Sequence, residues 1–242
     1  MVHIGCCGYS YMSPAEFFGE NWKEEFKSVL QAYAKLFDSV EINSSFYRIP
    51  KISTAIKWRN EANEINKNFE FTIKASQIIT HIDKFSGRSV WAFEQMKEVC
   101  KELNARILLL QSPESWKPSD ENIERMRKFF NKIKRGKLIL TWEPRGKWWD
   151  SPSLVEEVCK KFELVNCVDP FRNDAVYFGK EKIAYFRLHG FGLLSMYHYN
   201  FSEKELKQLK NKINELKVKE AYIMFNNSSC YQNALEFVKL FF

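Results

Sequence analysis

An apolar segment with interleaved polar residues is the feature of this chain most indicative of chemistry. Residues 183–190 read Ile-Ala-Tyr-Phe-Arg-Leu-His-Gly. Side chains alternate between the two faces of a strand, so Tyr185, Arg187 and His189 share one face. An arginine and a histidine on one face are costly to bury unless that face lines a polar site. The segment therefore predicts a strand whose carboxyl end belongs to an active or binding site.

Other apolar segments of the chain also end in polar side chains. If the polar face of each predicted strand points inward, one end of the sheet collects Glu41, Asn43, Lys74, Gln111, Glu143, Arg187, His189 and Asn226, with Arg145, Asp169 and Asn227 on adjoining loops or strand ends. This set contains as many carboxylates as cations. It predicts a preorganised polar pocket, since a phosphate cradle would be mostly basic and a divalent-metal cage mostly acidic.

Roles follow from the side-chain chemistry. Glu143 is predicted to be the general acid or base, with His189 as the second candidate because its pKa can lie near neutrality. Lys74 is expected to anchor an anionic group, with a Schiff base as the alternative. Glu41 completes the catalytic set and can pair with Lys74 on the neighbouring strand, a pair that could equally be structural. The predicted substrate-binding residues are Asn43, Tyr47, Gln111, Arg145, Trp148, Arg187, Tyr197, Asn226 and Asn227.

No cofactor is predicted, and the ligand is expected to be small and polar or anionic. A divalent metal on Glu41, Glu143, Asp169 and His189 is an alternative, although the six cysteines show no paired metal-ligand spacing. The net charge of +7 and the aromatic loop residues leave nucleic-acid binding or processing open. Solvated helix faces are the simpler explanation of the lysine-rich segments. A third alternative is a non-catalytic ligand-binding barrel whose charges only hold the mouth together.

The elements that must position these residues alternate along the chain. Strand patterns near residues 3–7, 38–43, 69–75, 106–111, 137–143, 164–168, 183–189 and 220–226 are mostly separated by helical patterns. Eight such units without a glycine-rich loop after the first strand favour a TIM-like (β/α)8 barrel over an open doubly wound sheet. One domain over residues 1–242 is expected. A short or irregular sixth helix is expected within 170–182, and one continuous helix over 22–37.

No membrane partner is expected, because the chain contains no apolar stretch long enough to cross a bilayer. The unpaired cysteine pattern and the absence of a leader-like segment favour a cytoplasmic location.

The chain resembles the YecE-like family, domain-of-unknown-function family seventy-two, over nearly its whole length. The segments that carry the resemblance are 4–11 (Ile-Gly-Cys-Cys-Gly-Tyr-Ser-Tyr), 40–48 (Val-Glu-Ile-Asn-Ser-Ser-Phe-Tyr-Arg), 71–74, 79–81, 111–113, 143–145 with Trp148, 187–190, 225–227 and 233–234. The resemblance implies a TIM-like barrel but no particular reaction, because the family's activity is not established.

Departures from the family pattern are informative. Cys6 and Cys7 stand where members usually carry Thr-Ser, which argues against a cysteine nucleophile. Gly146 stands where a histidine often follows the arginine. The fold has been likened to metal-dependent barrel nucleases of the endonuclease IV kind, but this chain has only four histidines and lacks those a trinuclear metal site would use.

Overall fold

Eight parallel strands close into a barrel in the computed structural model, which describes residues 1–192 and 195–241. The strands are β1 (Val2–Cys6), β2 (Ser39–Ile42), β3 (Glu70–Lys74), β4 (Ile107–Gln111), β5 (Ile139–Glu143), β6 (Val165–Val168), β7 (Ile183–Leu188) and β8 (Glu220–Phe225). Each strand pairs with its neighbours in sequence, and β8 pairs with β1. The predicted TIM-like (β/α)8 barrel is confirmed.

Helices cover the outside of the barrel. They are α1 (Ala15–Phe18), α2 (Trp22–Glu25), α3 (Val29–Leu36), α4 (Ile52–Ile65), α5 (Ser89–Leu103), α6 (Asp120–Lys132), α7 (Pro152–Phe162), α8 (Glu203–Glu215) and α9 (Cys230–Phe241). A capping box is present at Ser202 and Glu205, where α8 begins. No helix in the described ranges is both long and apolar enough to cross a membrane.

The single helix expected over residues 22–37 is wrong, because the chain is extended between α2 and α3. Phe26 lies in the core with 2% of its surface exposed. The Ser28 side chain then accepts a hydrogen bond from the backbone N–H of Gln31 at 3.3 Å and begins α3 as its N-cap. The helix is therefore interrupted where Phe26 is buried and begins again at the Ser28 cap, although the helical periodicity of the sequence is continuous.

The expected sixth helix is also absent, since residues 169–182 form turns and extended chain between β6 and β7. Asn166 of β6 holds this connection: its backbone N–H donates to the carbonyl of Tyr177 at 2.8 Å, and its Oδ1 accepts from the N–H of Val176 at 3.1 Å. The apolar side chains of Val176 and Tyr177 pack on the core. An extended segment thus covers the outside of the barrel where a helix would normally lie.

The predicted alternation of strand side chains is confirmed inside the barrel. One cluster of buried apolar side chains fills the interior, namely Ile107, Leu109, Val165, Cys167, Ile183, Tyr185, Tyr222 and Met224. A larger cluster lies between the strands and the helices and contains the other faces of the same strands. Gly5 allows close approach of β1 to β2, because a Cβ atom there would lie 2.0 Å from the carbonyl oxygen of Ser39. The interior above the apolar cluster is left to polar side chains.

Candidate active site at the barrel mouth

Arg187 of β7 lies at the centre of the barrel mouth, with 1% of its surface exposed. Its guanidinium binds both oxygens of Glu41, with Nη2 2.9 Å from Oε1 and Nε 3.1 Å from Oε2. Its Nη1 donates to Oε2 of Glu143 at 2.7 Å and to Oε1 of Gln111 at 3.1 Å. The planar fork of five N–H donors explains why one arginine can satisfy two carboxylates.

Glu41 is also held by neutral hydrogen bonds from within the barrel. The hydroxyl of Tyr185 donates to Oε2 of Glu41 at 3.0 Å and lies 2.7 Å from the hydroxyl of Thr72. The ion pair considered between Glu41 and Lys74 does not form. The cation that Glu41 binds is Arg187, whose side chain reaches from β7 across the barrel to β2.

Two arginines hold Glu143. Nη2 and Nε of Arg145 lie 2.6 Å and 3.0 Å from Oε1, while Arg187 occupies Oε2. Burial by itself would raise the pKa of Glu143, but Arg187, Arg145 and His189 lower it well below its usual range. A carboxylate that stays ionised at neutral pH cannot donate a proton. With its pKa lowered so far and both oxygens bound by arginines, Glu143 is also a weak base, so the geometry favours an electrostatic role for it over proton transfer.

His189 joins this arrangement to Asp169. Its Nε2 lies 2.9 Å from Nη2 of Arg145, and its Nδ1 lies 3.3 Å from Oδ2 of Asp169. Because an arginine can only donate, Nε2 must accept, so the ring proton is on Nδ1 and faces Asp169. Burial lowers the pKa of His189, so the imidazole is neutral at neutral pH. A neutral imidazole oriented by a carboxylate is the arrangement of a general base.

These contacts form one continuous set, which we name the charge network: Thr72, Tyr185, Glu41, Arg187, Gln111, Glu143, Arg145, His189, Asp169 and Arg172. Arg172 completes it with Nε 3.6 Å from Oδ2 of Asp169. The network holds three carboxylates and three guanidinium groups, each in an ion pair with another member. Its formal charge is therefore balanced without any ligand.

Lys74 lies at the same mouth, outside the charge network. Only 8% of its surface is exposed, and its Nζ lies over the ring of Phe46, 4.2 Å from the ring centre. Across residues 1–192 and 195–241, no carboxylate comes within ion-pair distance of that nitrogen. Burial, with the nearby charge of Arg187, lowers the pKa of Lys74 to about 8. The nearby carboxylates of Glu41 and Glu143 act in the opposite direction, so the mouth contains a buried cation that is close to anions but in contact with none among the described residues.

His81 belongs to the mouth, although strand alternation could not place it. It lies in a single π-helical turn (Ile78–Ile82) after β3, a rare element that is frequent at functional sites. Its ring packs edge-on against Phe46, with the ring centres 4.8 Å apart. Burial and the charges of Lys74 and Arg145 lower the pKa of His81 to about 4. The sequence signal for His81 is segment 79–81, which carries part of the family resemblance.

The other predicted substrate-binding residues divide into two groups. Tyr47, Tyr197, Asn43 and Asn226 can be reached from solvent. Tyr47 is 76% and Tyr197 40% exposed, and the ring of Tyr197 lies 5.6 Å from that of His189. Asn43 lines a cavity, and Asn226 is partly exposed after β8. The second group is Gln111, Arg145 and Arg187, whose side chains are bonded within the charge network. A ligand could contact them only at the open end of the barrel.

Trp148 and Asn227 have structural positions instead. Trp148 is completely buried, donates its indole N–H to the carbonyl of Trp116 at 2.5 Å and packs edge-on against Trp142. Asn227 is 5% exposed and donates to the carbonyl of Tyr199 and to Oδ1 of Asn233, both at 2.8 Å. Packing therefore occupies the Trp148 side chain and loop anchoring the Nδ2 group of Asn227, while the buried Oδ1 of Asn227 has no hydrogen-bond partner among the described residues.

Cys7 borders the mouth at the end of β1. Burial raises the pKa of its thiol well above the usual value, although Arg187 acts in the opposite direction. The thiol therefore stays protonated at neutral pH and is a poor nucleophile. All six cysteines have free thiols.

The donor set at the mouth does not fit a resident divalent metal. The side chains that would supply ligands, Glu41, Glu143, Asp169 and His189, are each bonded to an arginine or to one another. Within the described residues no group of three or more histidine, cysteine, aspartate or glutamate side chains is arranged to hold a metal ion. Two guanidinium groups at the centre would repel a cation.

Comparison with known proteins fits this architecture. Residues 3–241 match the family described as "Protein of unknown function DUF72". The chain belongs to the DUF72 family. The match covers the barrel from β1 to α9, so every residue of the charge network lies within it.

Relatives of this DUF72 chain match it along nearly its whole length. The UPF0759 protein YunF of Bacillus subtilis (strain 168) is 24% identical, over 95% of this chain and 89% of YunF. A DUF72 family protein from Enterococcus faecalis V583 superposes with a TM-score of 0.77 at 21% identity, covering 100% of this chain and 97% of the other. A DUF72 family protein from Thermotoga maritima MSB8 gives a TM-score of 0.74 at 25% identity, with 100% and 99% covered.

More distant solved structures share the barrel fold alone. SacUVDE gives a TM-score of 0.63 at 12% identity, covering 99% of this chain and 96% of the other. A D-psicose 3-epimerase, solved in the presence of D-fructose, gives 0.58 at 12% identity, covering 96% and 89%.

Proposed function

We propose that this DUF72 chain is an enzyme that performs metal-independent acid–base or hydrolytic chemistry on a small polar substrate bearing a phosphate or carboxylate. The supporting observation is Lys74, a buried cation that no carboxylate of the described residues contacts, beside a charge network that is already balanced. Burying an unpaired charge is costly, and the cost is offset when an anionic ligand completes the pair. The substrate's anionic group is proposed to be that partner.

The proton-transfer side of the reaction is assigned to His189, with Glu143 as its electrostatic partner. Arg145 borders a cavity of about 150 Å³ together with both of them and donates to the Nε2 lone pair of His189. A substrate oxygen that takes the Arg145 donor would free that lone pair to accept a substrate proton. Glu143 and Asp169 would stabilise the imidazolium that forms. The reaction is proposed to take place next to this cavity, with Lys74 holding the substrate.

The charges elsewhere on the chain favour a small ligand over nucleic acid. Lys128 and Lys132 lie in the last turns of α6, at the barrel end opposite the mouth, and Arg135 donates to the carbonyls of Phe162 and Glu163. On α8, Lys207 pairs with Glu203 and Lys212 with Asp174. Arg135, Lys207 and Lys212 therefore serve contacts with helices and loops of the barrel. A cytoplasmic location is part of the proposal, supported by the free thiols.

The proposal is tested by a substrate screen with EDTA-treated protein. The panel contains phosphorylated sugars, sugar acids and their neutral parent sugars, with phosphate release and sugar rearrangement as readouts. We expect turnover of at least one anionic compound in the presence of EDTA and none of its neutral parent. Lys74→Met should lower kcat/KM by about 10- to 100-fold, the value of a hydrogen bond between charged groups.

The matched control is Lys51→Met, which removes an exposed lysine just before α4, at the same end of the barrel. It should leave kcat/KM unchanged. Equal losses in the two variants would show that general positive charge, and not Lys74, is responsible. Absence of binding by any anion of the panel at millimolar concentration would overturn the proposed function.

A further inference from the structure

A second cavity opens at the mouth, between the loops that follow β1 and β2. We name it the aromatic pocket; its volume is about 380 Å³, and its lining includes Cys7, Tyr9, Tyr11, Asn43, Tyr47 and Trp58. This volume lies at the small end of the range for small-molecule sites, which suits one ring system. The residues around it carry no charge at neutral pH, since the Cys7 thiol stays protonated. The pocket therefore suits an uncharged part of a ligand.

Two tyrosines at the aromatic pocket are unusually exposed. Tyr11 is 94% and Tyr47 76% exposed, whereas Tyr9 and Trp58 are partly buried and pack edge-on, with ring centres 6.5 Å apart. Exposed aromatic faces beside a cavity offer a surface on which a flat ring can stack. Burial of the two inner rings fixes the base of the cavity, and the outer rings stay available to a ligand.

A polar atom in the aromatic pocket has no partner. Oδ1 of Asn43 is buried, and among residues 1–192 and 195–241 nothing donates a hydrogen bond to it. A buried acceptor of this kind costs about 1–3 kcal/mol unless it is satisfied. The Asn43 side chain lines the cavity and is only partly buried, so its rotation toward the cavity would let a ligand N–H satisfy this acceptor. The pocket thus combines stacking faces with one directional acceptor, while most of its lining is apolar or aromatic.

The aromatic pocket is joined to Lys74 through the turn after β2. The hydroxyl of Ser45 lies 2.7 Å from the carbonyl oxygen of Ile42 and 2.6 Å from that of Lys74, tying this turn to the end of β3. The Phe46 ring lies against the Lys74 ammonium and packs edge-on against Tyr47, with ring centres 5.1 Å apart. A single phenylalanine therefore contacts both the proposed anion-binding lysine and a tyrosine of the aromatic pocket.

From this juxtaposition we infer that the substrate is a mononucleotide, whose base occupies the aromatic pocket and whose phosphate binds Lys74. The base would stack against Tyr11 and Tyr47 and donate an N–H to Oδ1 of Asn43. A sugar phosphate is the competing ligand, because Ser10, Ser44 and the tyrosine hydroxyls could bind sugar hydroxyls, but a flat base makes fuller use of the exposed aromatic faces. The inference rests on the proposed function for its phosphate site and adds the identity of the group attached to that phosphate.

Calorimetric titration with four probes separates the two subsites. Inorganic phosphate measures binding at Lys74 alone, and adenosine measures binding in the aromatic pocket alone. Adenosine 5′-monophosphate and ribose 5-phosphate differ by the base, so the difference between their affinities measures what the base contributes. We expect the nucleotide to bind about tenfold or more tighter than ribose 5-phosphate, the usual contribution of a stacked base. Tyr11→Ala and Tyr47→Ala should remove that gain while leaving the affinity for inorganic phosphate unchanged.

The control variant is Trp91→Ala, which removes an aromatic ring that is 54% exposed and lies outside the aromatic pocket; it should keep the gain. Because Tyr11 and Tyr47 are largely exposed, their variants are expected to fold, and the thermal midpoint checks this. Equal affinities for the nucleotide and ribose 5-phosphate, with phosphate still bound through Lys74, would overturn this inference and leave the proposed function standing. Binding of adenosine without binding of phosphate would support the aromatic pocket and overturn the phosphate site.

Discussion

Arg187→Met is expected to lower the free energy of unfolding by about 3–5 kcal/mol, the usual cost of removing one partner from a buried ion pair. The arginine is 1% exposed and binds Glu41, which is completely buried, and Glu143, which is 4% exposed. Its removal leaves Glu41 without a cation in the barrel interior, while Glu143 keeps Arg145. Methionine retains much of the arginine's aliphatic volume, so the loss of stability measures the removal of the charge more than a loss of packing. Chemical denaturation measures it.

The matched control is Arg125→Met on α6, where the arginine forms an ion pair with Glu121 and is 41% exposed. Exposed pairs contribute little, so this variant should unfold at the wild-type denaturant concentration. Adding Glu41→Gln to Arg187→Met should recover part of the lost stability, because the unpaired buried charge is then removed. A loss below about 1 kcal/mol in Arg187→Met would contradict the role of this arginine as the central cation.

Sulfate affinity is expected to be constant below pH 8 and to fall about tenfold per pH unit above it, until Lys74 no longer contributes to binding. The reason is the pKa of Lys74, which burial lowers to about 8. Below that pH the ammonium is present and binds the anion directly. Above it, binding must first take up a proton, so each pH unit costs a factor of ten. Sulfate is the suitable probe because it does not itself titrate between pH 6 and 10.

Lys74→Arg supplies the control for this pH dependence. A guanidinium stays charged throughout the range, so sulfate binding should become independent of pH up to 10. Lys74→Met should bind sulfate weakly at every pH. If wild-type affinity stays unchanged between pH 7 and 10, Lys74 is either not the anion site or is not held at a lowered pKa.

Strand alternation predicted the inward-facing residues of this barrel because the period of a strand is fixed at two residues. Glu41, Arg187 and Glu143 all point into the interior, as expected. Alternation predicts which way a side chain points, but it does not predict which residue that side chain contacts. Glu41 and Lys74 are on neighbouring strands, yet the longer and planar guanidinium of Arg187 reaches Glu41 across the barrel and leaves Lys74 unpaired.

Loop residues were less predictable than strand residues, since no periodicity governs them. Trp148 follows β5 among residues that reach the mouth, but it packs against Trp142 below the surface. Strand alternation could not place His81, because it lies in a π-helical turn that has no hydrophobic pattern of its own. The missing sixth helix has a similar cause: Val176 and Tyr177 are apolar enough for a helix face, but Asn166 binds their backbone in an extended form.

A crystal structure of the wild-type chain soaked in sodium phosphate is the most direct test of the claim that Lys74 is the open cation of the mouth. We expect a phosphate oxygen about 2.8 Å from Nζ of Lys74, the usual length of a charge-assisted hydrogen bond, with Arg187 still bound to Glu41 and Glu143. A mouth without phosphate, in which Lys74 forms a salt bridge with Glu41 or Glu143, would contradict it.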